Sequence, residues 1–572
     1  MFGAVDNPRI GHDISQERER EVRVVAMLGV EIVGMLGLRM LKRNQQLARL
    51  GFTHNIDGGD PAVLEIARKL LVGQTHRFTP FYGVHSLAEW WRVSHIAGSQ
   101  SAVNVALLSA TEQCHLVAEG ELSAVELLDA CLAQYERHNP TLNAIIHEEI
   151  DAARTEARSA DDARVRGGPG GPLDGLPITV KDSIDWAGRP STWGDPQYRD
   201  HRPTEDASVL AQLRAAGAIV WGKTNVPLHL AEWQTFNSIH GRTNNPWDVD
   251  RTPGGSSGGS AVAVATGMAA LEVGSDIGGS VRWPAAHTGI TGLKPSYGLI
   301  SQHGHTFPGQ EGTVDHNVIG PIARTIADLE LVLPLMHEPY ISLRNPSQVS
   351  LSDFTVGVLL DNPVGDQDAA VTATIQAAID QLTDAGLGLA EPPPMDLLLT
   401  GQSIGQQLGR AAASGPNPPP PSADVDRYDE GSRDYDALIA HASRMTHREW
   451  MSLNDERERT RLRWRDYFRT VDLLLTPIAA TTAPPHDERS FAQQRVVVNG
   501  VERSIAEQWF WAGIANVTYQ PAVSFPAGCA TDGLPVGMQA VGPFMSDRTV
   551  LRFGALAETV LGCPLTTLHA RW

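Results

Sequence analysis

The chain has 572 residues, of which 42% are hydrophobic and 20% charged, a composition typical of a large globular protein of two or more domains. Its formal net charge of −20 argues against nucleic-acid binding, which needs clustered Lys and Arg, and against adhesion to anionic membranes. Four cysteines without a CxxC pair predict neither a disulfide framework nor a cysteine zinc site, and favour the reducing cytoplasm.

The sequence of residues 1–105 predicts a mainly helical N-terminal extension, and it does not indicate the role of that extension. Within it, residues 22–41 resemble a membrane helix. A helix needs about 20 consecutive apolar residues to span a bilayer, and Glu31 interrupts this apolar run near its centre. A signal peptide is not predicted, because residues 15–23 carry both acids and bases. We therefore expect a buried or partner-packed helix and no integral membrane insertion. A peripheral membrane helix and a homodimer contact stay open.

The sequence of residues 106–572 predicts a separate globular domain, since short apolar runs alternate there with helical stretches. This pattern indicates an α/β fold with a mixed central β-sheet covered by helices on both faces. Two proline-rich stretches predict an irregular surface excursion at about residues 390–425. The predicted strands cover 178–180, 218–221, 271–273, 354–360 and 522–525, and the predicted helices cover 150–159, 207–215, 260–269, 326–335 and 369–384.

Two clusters of glycine and serine, at residues 254–260 and 278–280, are the most informative feature of the chain. A serine hydroxyl is a poor nucleophile unless a base takes its proton. Residues 255–259 fit G-x-S-x-G, but a glycine-rich run satisfies that pattern cheaply, and no acid and histidine follow in a matching order. A Ser-His-Asp hydrolase is therefore weakly supported.

A lysine base fits the sequence better. Lys181 ends an apolar β-type run at residues 177–180, where burial would disfavour its ammonium form. A flexible linker is excluded by the context of the first cluster, since a helix-compatible run follows it. A phosphate loop is excluded because no G-x-x-x-x-G-K-[ST] motif is present.

These motifs resemble those of the amidase signature family, serine hydrolases that cleave carbon–nitrogen bonds with a Ser–Ser–Lys triad. The resemblance runs from about residue 107 to the C-terminus, which implies that residues 106–572 are the catalytic domain. It includes residues 222–225, 241–247, 320–325, 472–477, 520–528 and 533–539. It implies that Ser280 is the nucleophile, Lys181 the base and Ser256 the proton shuttle between them, with a cis peptide bond entering Ser256. It also places the oxyanion hole at the backbone amides of Ile277, Gly278, Gly279 and Ser280.

Neighbouring residues have expected supporting roles. Asp276 and Arg282 are expected to form a buried pair that fixes the nucleophile loop. Ser257 is expected to cap the following helix and join the hydrogen-bond network of the triad, in which Ser275 also takes part.

Substrate-facing residues are harder to predict. Trp283 and His287 stand where smaller residues and phenylalanine are common in the family, so they are candidates for the substrate pocket. The loop at residues 304–310 is expected at the substrate entrance. His303, His305 and His316 lack a metal-ligand spacing, and neither a metal nor a cofactor is predicted.

The predicted function is hydrolysis of a small-molecule carboxylic amide, with esters as possible further substrates, through an acyl-serine intermediate. Two alternatives keep the same fold. The first is the glutaminase subunit of a tRNA-dependent amidotransferase, which needs partner subunits and which the unmatched N-terminal extension disfavours. The second is a non-catalytic scaffold, which the presence of Lys181, Ser256 and Ser280 disfavours.

Overall fold

A computed structural model describes residues 104–361, 363–413, 435–562, 565, 568 and 569 of the chain. The predicted N-terminal extension, apart from residues 104 and 105, lies outside the described residues, as does the segment 22–41. The proline-rich stretch at 416–421 lies outside them as well.

The described residues form thirteen α-helices. In chain order they are α1 Ala110–Ala118, α2 Ala124–Leu142, α3 Ile150–Val165, α4 Ser208–Ala215, α5 Gly258–Ala265, α6 Arg282–Thr288, α7 Ile326–Met336, α8 Ala369–Asp384, α9 Met395–Ala413, α10 Tyr435–Ala442, α11 His447–Tyr467, α12 Trp509–Val517 and α13 Asp547–Leu561. Short 3₁₀ turns connect several of them.

The strands are β1 Ile145–Glu148, β2 Pro177–Lys181, β3 Ile219–Thr224, β4 Phe236–Asn237, β5 Gly241–Arg242, β6 Leu271–Asp276, β7 Thr291–Lys294, β8 Val318–Ala323, β9 Thr355–Val358, β10 Gly388–Ala390, β11 Leu473–Pro477, β12 Arg495–Val498, β13 Val501–Ser504, β14 Ala522–Cys529 and β15 Pro535–Val541. Eleven of these described strands form one sheet in the order β1-β3-β2-β6-β8-β7-β14-β15-β11-β9-β10. The sheet is mixed, since β2 runs parallel to β3 and β6 whereas β6 and β8 are antiparallel.

Both faces of this sheet are covered. Val523 and Phe525 of β14 pack into the core cluster that contains Ile375 of α8 and Phe553 of α13. Ala522, which points to the opposite face of the strand, belongs to a second cluster that also contains residues of α12. Because successive strand residues point to opposite faces, helices lie on both sides of β14. The predicted α/β fold class is confirmed.

Local sequence signals explain where several helices begin and end. Ser109 and Ser123 start α1 and α2 as capping boxes, each paired with a glutamate three residues later. Helix α2 ends at Leu142 and is capped by Asn143, whose left-handed φ of 50° closes the last turn. Such side-chain caps satisfy backbone groups that a helix leaves unpaired at its ends.

The predicted strands and helices are confirmed, with two corrections. Helix α5 starts at Gly258 and ends at Ala265, short of the predicted 269, because Gly267 turns the chain with a φ of 78°. The predicted irregular excursion at 390–425 is wrong for its first half, where α9 runs from Met395 to Ala413. Burial of Leu397, Leu398, Ile404 and Leu408 along one face of α9 gives it the packing that holds a helix.

Candidate active site

The loops of the two glycine and serine clusters meet beside the end of β2. Lys181 is the last residue of β2, and its Nζ donates to Ser256 Oγ at 2.7 Å and to Ser275 Oγ at 2.9 Å. The backbone amide of Ser257 donates to the carbonyl oxygen of Ser280 at 3.2 Å, which joins the two loops. The peptide bond Gly255–Ser256 is cis, as the family resemblance implied. The three residues expected to form the triad are thus brought to one place.

This site is almost completely closed to solvent. Lys181 is 0% exposed, Ser256 1% and Ser280 3%. Burial lowers the pKa of Lys181 to about 7, although the carboxyls of Asp276, Glu272 and Asp182 act in the opposite direction. At neutral pH a large fraction of Lys181 is therefore the free amine, which has the lone pair needed to accept a proton from Ser256.

A buried carboxyl that the sequence did not single out lies behind the lysine. Glu272 of β6 accepts hydrogen bonds from Thr224 Oγ1 at 2.5 Å and from the amide of Val273 at 2.7 Å. Thr224 is the register partner of Lys181 across β2 and β3, so the carboxyl lies close to the amine. Burial raises the pKa of Glu272 to about 8, which leaves the group largely uncharged at neutral pH.

Asp276 and Arg282 form the predicted buried pair on either side of the nucleophile loop. Arg282 Nε lies 3.0 Å from Asp276 Oδ2, and both side chains are 0% exposed. Burial alone would raise the pKa of Asp276, but the Arg282 guanidinium lowers it well below its usual range. Arg282 donates further hydrogen bonds to Gln539 Oε1, the Ala512 carbonyl and Asn516 Oδ1. The pair ties the loop to β15 and α12.

Removing the arginine is expected to destabilise the fold, because Asp276 would be left buried and unpaired. Arg282→Leu should lower the free energy of unfolding by about 3–5 kcal/mol, measured by denaturant titration. Arg469→Leu is the matched control, since it breaks the ion pair with Asp466 in which both side chains are mostly exposed. That change should cost at most about 1 kcal/mol. Equal losses in the two variants would contradict a structural role for the buried pair.

The nucleophile loop presents backbone donors to the site. Gly279 donates its amide to Asp276 Oδ1 at 2.8 Å, so this amide is already engaged. Within the described residues, the amides of Ile277, Gly278 and Ser280 donate no hydrogen bond to the protein. These amides are available for a developing oxyanion, and the predicted assignment of the four loop residues stays a prediction.

Ser257 departs in part from its expected role. It occupies the N-cap position of α5, but its side chain makes no capping hydrogen bond. Its Oγ instead donates to the carbonyl oxygen of Ser275 and accepts from the Ser275 amide, both at 3.4 Å. The side chain faces β6 rather than the first turn of the helix. It therefore joins the hydrogen-bond network around Ser275, and α5 has no side-chain cap at its N-terminus.

The two residues predicted to line the substrate pocket lie in the protein interior. Trp283 Nε1 donates to His287 Nε2 at 2.6 Å, one turn further along α6, and both side chains are buried. Burial lowers the pKa of His287 to about 3, so the ring is neutral and accepts this hydrogen bond. Trp283 lies 4.6 Å, centroid to centroid, from the ring of Trp233. Their role in substrate binding stays a prediction.

Trp233 is, after Glu272, a second residue near the site that the sequence did not single out. Its Nε1 donates to the carbonyl oxygen of Gly278 at 2.8 Å, and its side chain is buried. No spacing in the sequence relates a tryptophan in the loop before β4 to a glycine 45 positions later. This contact depends entirely on tertiary structure.

The three histidines noted in the sequence have different neighbours, and the ring of His316 lies 6.3 Å from that of Tyr519 between centroids. His305 is buried with its Nε2 3.3 Å from Ser183 Oγ, whereas His303 is exposed near Ser208. In the loop 304–310, Phe307 packs against the ring of Trp193 at 4.4 Å. Among the residues that the structure describes, no group of three or more His, Cys, Asp or Glu side chains is arranged to hold a metal ion.

With this geometry established, comparison with known proteins gives the family. A family model described as Amidase matches residues 126–551. The chain belongs to the amidase family. The family resemblance seen in the sequence is confirmed, and the protein is a hydrolase that acts on amides.

Relatives of this amidase differ in what their names describe. The chain is 33% identical over 495 residues to a glutamyl-tRNA(Gln) amidotransferase subunit from Chloroflexus aggregans, covering 78% of this chain and 94% of the relative. It is 30% identical to indoleacetamide hydrolase of Bradyrhizobium diazoefficiens, with 81% and 88% covered. The structure of 6-aminohexanoate cyclic dimer hydrolase is similar with a TM-score of 0.66 and 28% identity, over 80% of this amidase and 97% of that chain.

Among the described residues of the amidase, no helix is both long and apolar enough to cross a bilayer.

Proposed function

We propose that this amidase hydrolyses a small-molecule carboxylic amide to an acid and an amine or ammonia through an ester on Ser280. The observation that carries the proposal is the 2.7 Å hydrogen bond between Lys181 Nζ and Ser256 Oγ in a buried site. A lysine held as a free amine beside a serine is equipped to start a proton relay. Residues from 106 onwards form the catalytic domain in this proposal.

Acylation begins when Ser280 Oγ attacks the amide carbonyl carbon. The Ser280 proton passes to Ser256, whose own proton passes to the Lys181 amine, so that an ammonium forms as the oxyanion forms. Backbone amides of Ile277, Gly278 and Ser280 stabilise that oxyanion. The C–N bond then breaks, and the leaving nitrogen takes a proton from Ser256, which is reprotonated by Lys181. This leaves an acyl ester and the lysine again as the free amine.

Deacylation uses the same relay with water in place of the serine. A water molecule attacks the ester carbonyl while its proton moves through Ser256 to Lys181. Ser280 Oγ leaves and recovers a proton by the reverse path, and the carboxylic acid is released. The cycle is balanced without a cofactor, because every proton taken by Lys181 is returned in the same half-reaction.

A substrate panel tests the proposal. Purified protein is incubated with aliphatic, aryl and fatty amides and with glutamine, and release of the amine or ammonia is measured against Ser280→Ala. Turnover of an amide by the wild type alone supports the proposal and identifies the acyl class. Equal turnover by both proteins would contradict Ser280 as the nucleophile.

The glutaminase component of an amidotransferase is a second candidate, favoured by the 33% identity to a glutamyl-tRNA(Gln) amidotransferase subunit. The same panel separates the two functions. Turnover of glutamine and of no other amide in the panel, at a rate increased by the partner subunits and tRNA, would favour this candidate. Turnover of several unrelated amides by the isolated chain would exclude it.

The activity is expected to rise with pH through a limb near pH 7. Only the free amine of Lys181 accepts a proton, and burial lowers the pKa of this residue to about 7. Below that pH, kcat/KM should fall about tenfold per pH unit as the ammonium form accumulates, and above it the rate should level off. The profile is measured from about pH 5 to about pH 9.5, and a flat profile across this range would contradict Lys181 as the base.

A variant of the neighbouring carboxyl distinguishes this limb from other titrations. Burial raises the pKa of Glu272 to about 8, so Glu272→Gln removes a group that is already largely uncharged near pH 7 and should leave the limb of Lys181 in place. Glu558→Gln is the matched control, because burial also raises the pKa of Glu558 to about 7 but its charged neighbours are Asp328 and Glu330. That control should leave the limb in place. Loss of the limb in either variant would mean that it reports that carboxyl and not Lys181.

A further inference from the structure

One peptide unit in the nucleophile loop has both of its polar groups held by side chains. The carbonyl oxygen of Gly278 accepts from Trp233 Nε1 at 2.8 Å. The amide of Gly279, which belongs to the same peptide unit, donates to Asp276 Oδ1 at 2.8 Å. Because a peptide unit is planar, two hydrogen bonds at opposite edges fix its orientation.

The orientation of this peptide unit determines where its neighbours point. The amides of Gly278 and Ser280 flank it on either side, and both are without a protein acceptor among the described residues. Gly279 has a φ of 96°, a conformation that glycine adopts readily and other residues rarely do. The two hydrogen bonds restrict rotation of the backbone at this glycine.

Trp233 is itself held firmly. Its ring packs against Trp283 at 4.6 Å, Phe491 at 5.3 Å and Trp509 at 6.3 Å between ring centroids, and it is only 5% exposed. Trp509 packs against the loop from another side. A Cβ atom added at Gly278 would lie only 2.4 Å from Cζ3 of Trp509. The loop therefore has little room to adopt a second position.

The two neighbouring indoles use their N–H groups differently. Trp283 donates to His287 on its own helix, whereas Trp233 donates to the nucleophile loop. Packing alone would require only the ring of Trp233. The direction of its N–H is what connects it to the catalytic loop.

We propose that Trp233 is a positioning residue that, together with Asp276, holds the Gly278–Gly279 peptide unit so that the amides of Gly278 and Ser280 converge on the oxyanion. This inference rests on the proposed function. It adds a side chain, remote in sequence, that sets the geometry of the backbone donors. Donors already oriented before the reaction stabilise developing charge more than donors that must turn during it.

The test removes the indole N–H. Trp233→Phe should lower kcat about 10- to 100-fold while KM changes less than about threefold, because the donors remain but lose their alignment. This loss is smaller than the roughly 100- to 1,000-fold loss on removing one oxyanion donor. Trp247→Phe is the matched control, since Trp247 is a buried indole that donates to the Thr288 carbonyl at 2.9 Å away from the site. It should keep kcat within about threefold of the wild type.

A second readout separates positioning from loss of structure. The rates for an amide and for the corresponding thioamide are compared, because a thioamide sulfur fits a hole built for oxygen poorly. The amide-to-thioamide rate ratio should fall in Trp233→Phe and stay unchanged in Trp247→Phe. An unchanged ratio in Trp233→Phe, or equal kcat losses in both variants, would overturn the proposal.

Unfolding midpoints of both variants are measured alongside the rates. If Trp233→Phe does not fold, 3-benzothienylalanine at position 233 replaces it, since this residue keeps the bicyclic ring and lacks only the N–H. Retained kcat with that residue would overturn the proposal, and a loss of about 10- to 100-fold would support it. An inactive wild type would instead contradict the proposed function, which separates the two failures.

Discussion

Ser280→Ala is expected to lower kcat by about a millionfold, the size of loss found when a hydroxyl nucleophile or its base is removed from a serine hydrolase. Without the Oγ atom no ester forms, and water must attack the amide directly. The remaining backbone donors and substrate contacts still support a small residual rate. The rate is measured on the best amide of the panel, with the unfolding midpoint as a check of the fold.

A matched serine gives the control for this substitution. Ser296 is also buried, but its Oγ donates to Asp547 Oδ2 at 2.6 Å, outside the candidate site. Ser296→Ala should retain kcat within about tenfold of the wild type. Comparable losses in the two variants would mean that the effect of Ser280→Ala is structural.

Lys181→Met is expected to have the second-largest effect, lowering kcat about 100- to 10,000-fold and removing the limb near pH 7. Methionine fills the space of the lysine stem but cannot accept a proton from Ser256. The hydrogen bonds from Nζ to Ser256 and Ser275 are lost as well, so the relay is broken at its end. The measurement is the profile of kcat/KM against pH for both proteins.

Lys294 provides an unusually close control. It is fully buried, burial lowers its pKa to about 7, and its Nζ donates to the carbonyl oxygens of Pro295 and Gln520. Lys294→Met therefore removes a buried amine of similar pKa whose hydrogen bonds go to backbone carbonyls and not to Ser256 or Ser275. It should leave the limb near pH 7 intact. Loss of the limb in this variant, or its persistence in Lys181→Met, would contradict the assignment of the base.

Much of the candidate site was predictable from sequence because its residues lie in short, unusual segments. Glycine-rich clusters that contain the two serines, and a lysine at the end of an apolar strand, are each visible without any tertiary information. The pair of Asp276 and Arg282 was predictable for the same reason, since only six positions separate them. Several central strands were predictable because each contains a short, mainly apolar run whose residues are buried.

The remainder depends on contacts between distant segments. Trp233 reaches Gly278 across 45 positions, and Glu272 joins the lysine through the register of β2, β3 and β6. The capping role predicted for Ser257 was wrong, because its side chain forms hydrogen bonds with the backbone of Ser275 in β6. Helix α9 was missed because its flanking prolines suggested a loop, whereas its apolar face packs against α12. Local pattern contains no information on these partners.

The most direct test of the catalytic account is the mass of the enzyme during turnover. Protein mixed with its best amide is quenched in acid within milliseconds to seconds, digested, and analysed by mass spectrometry. The account predicts the mass of the acyl group on the peptide containing Ser280, decaying as the acid is released and missing in Ser280→Ala. An acyl adduct on another residue, or no adduct while amine release runs ahead of acid release, would contradict an acyl-Ser280 intermediate.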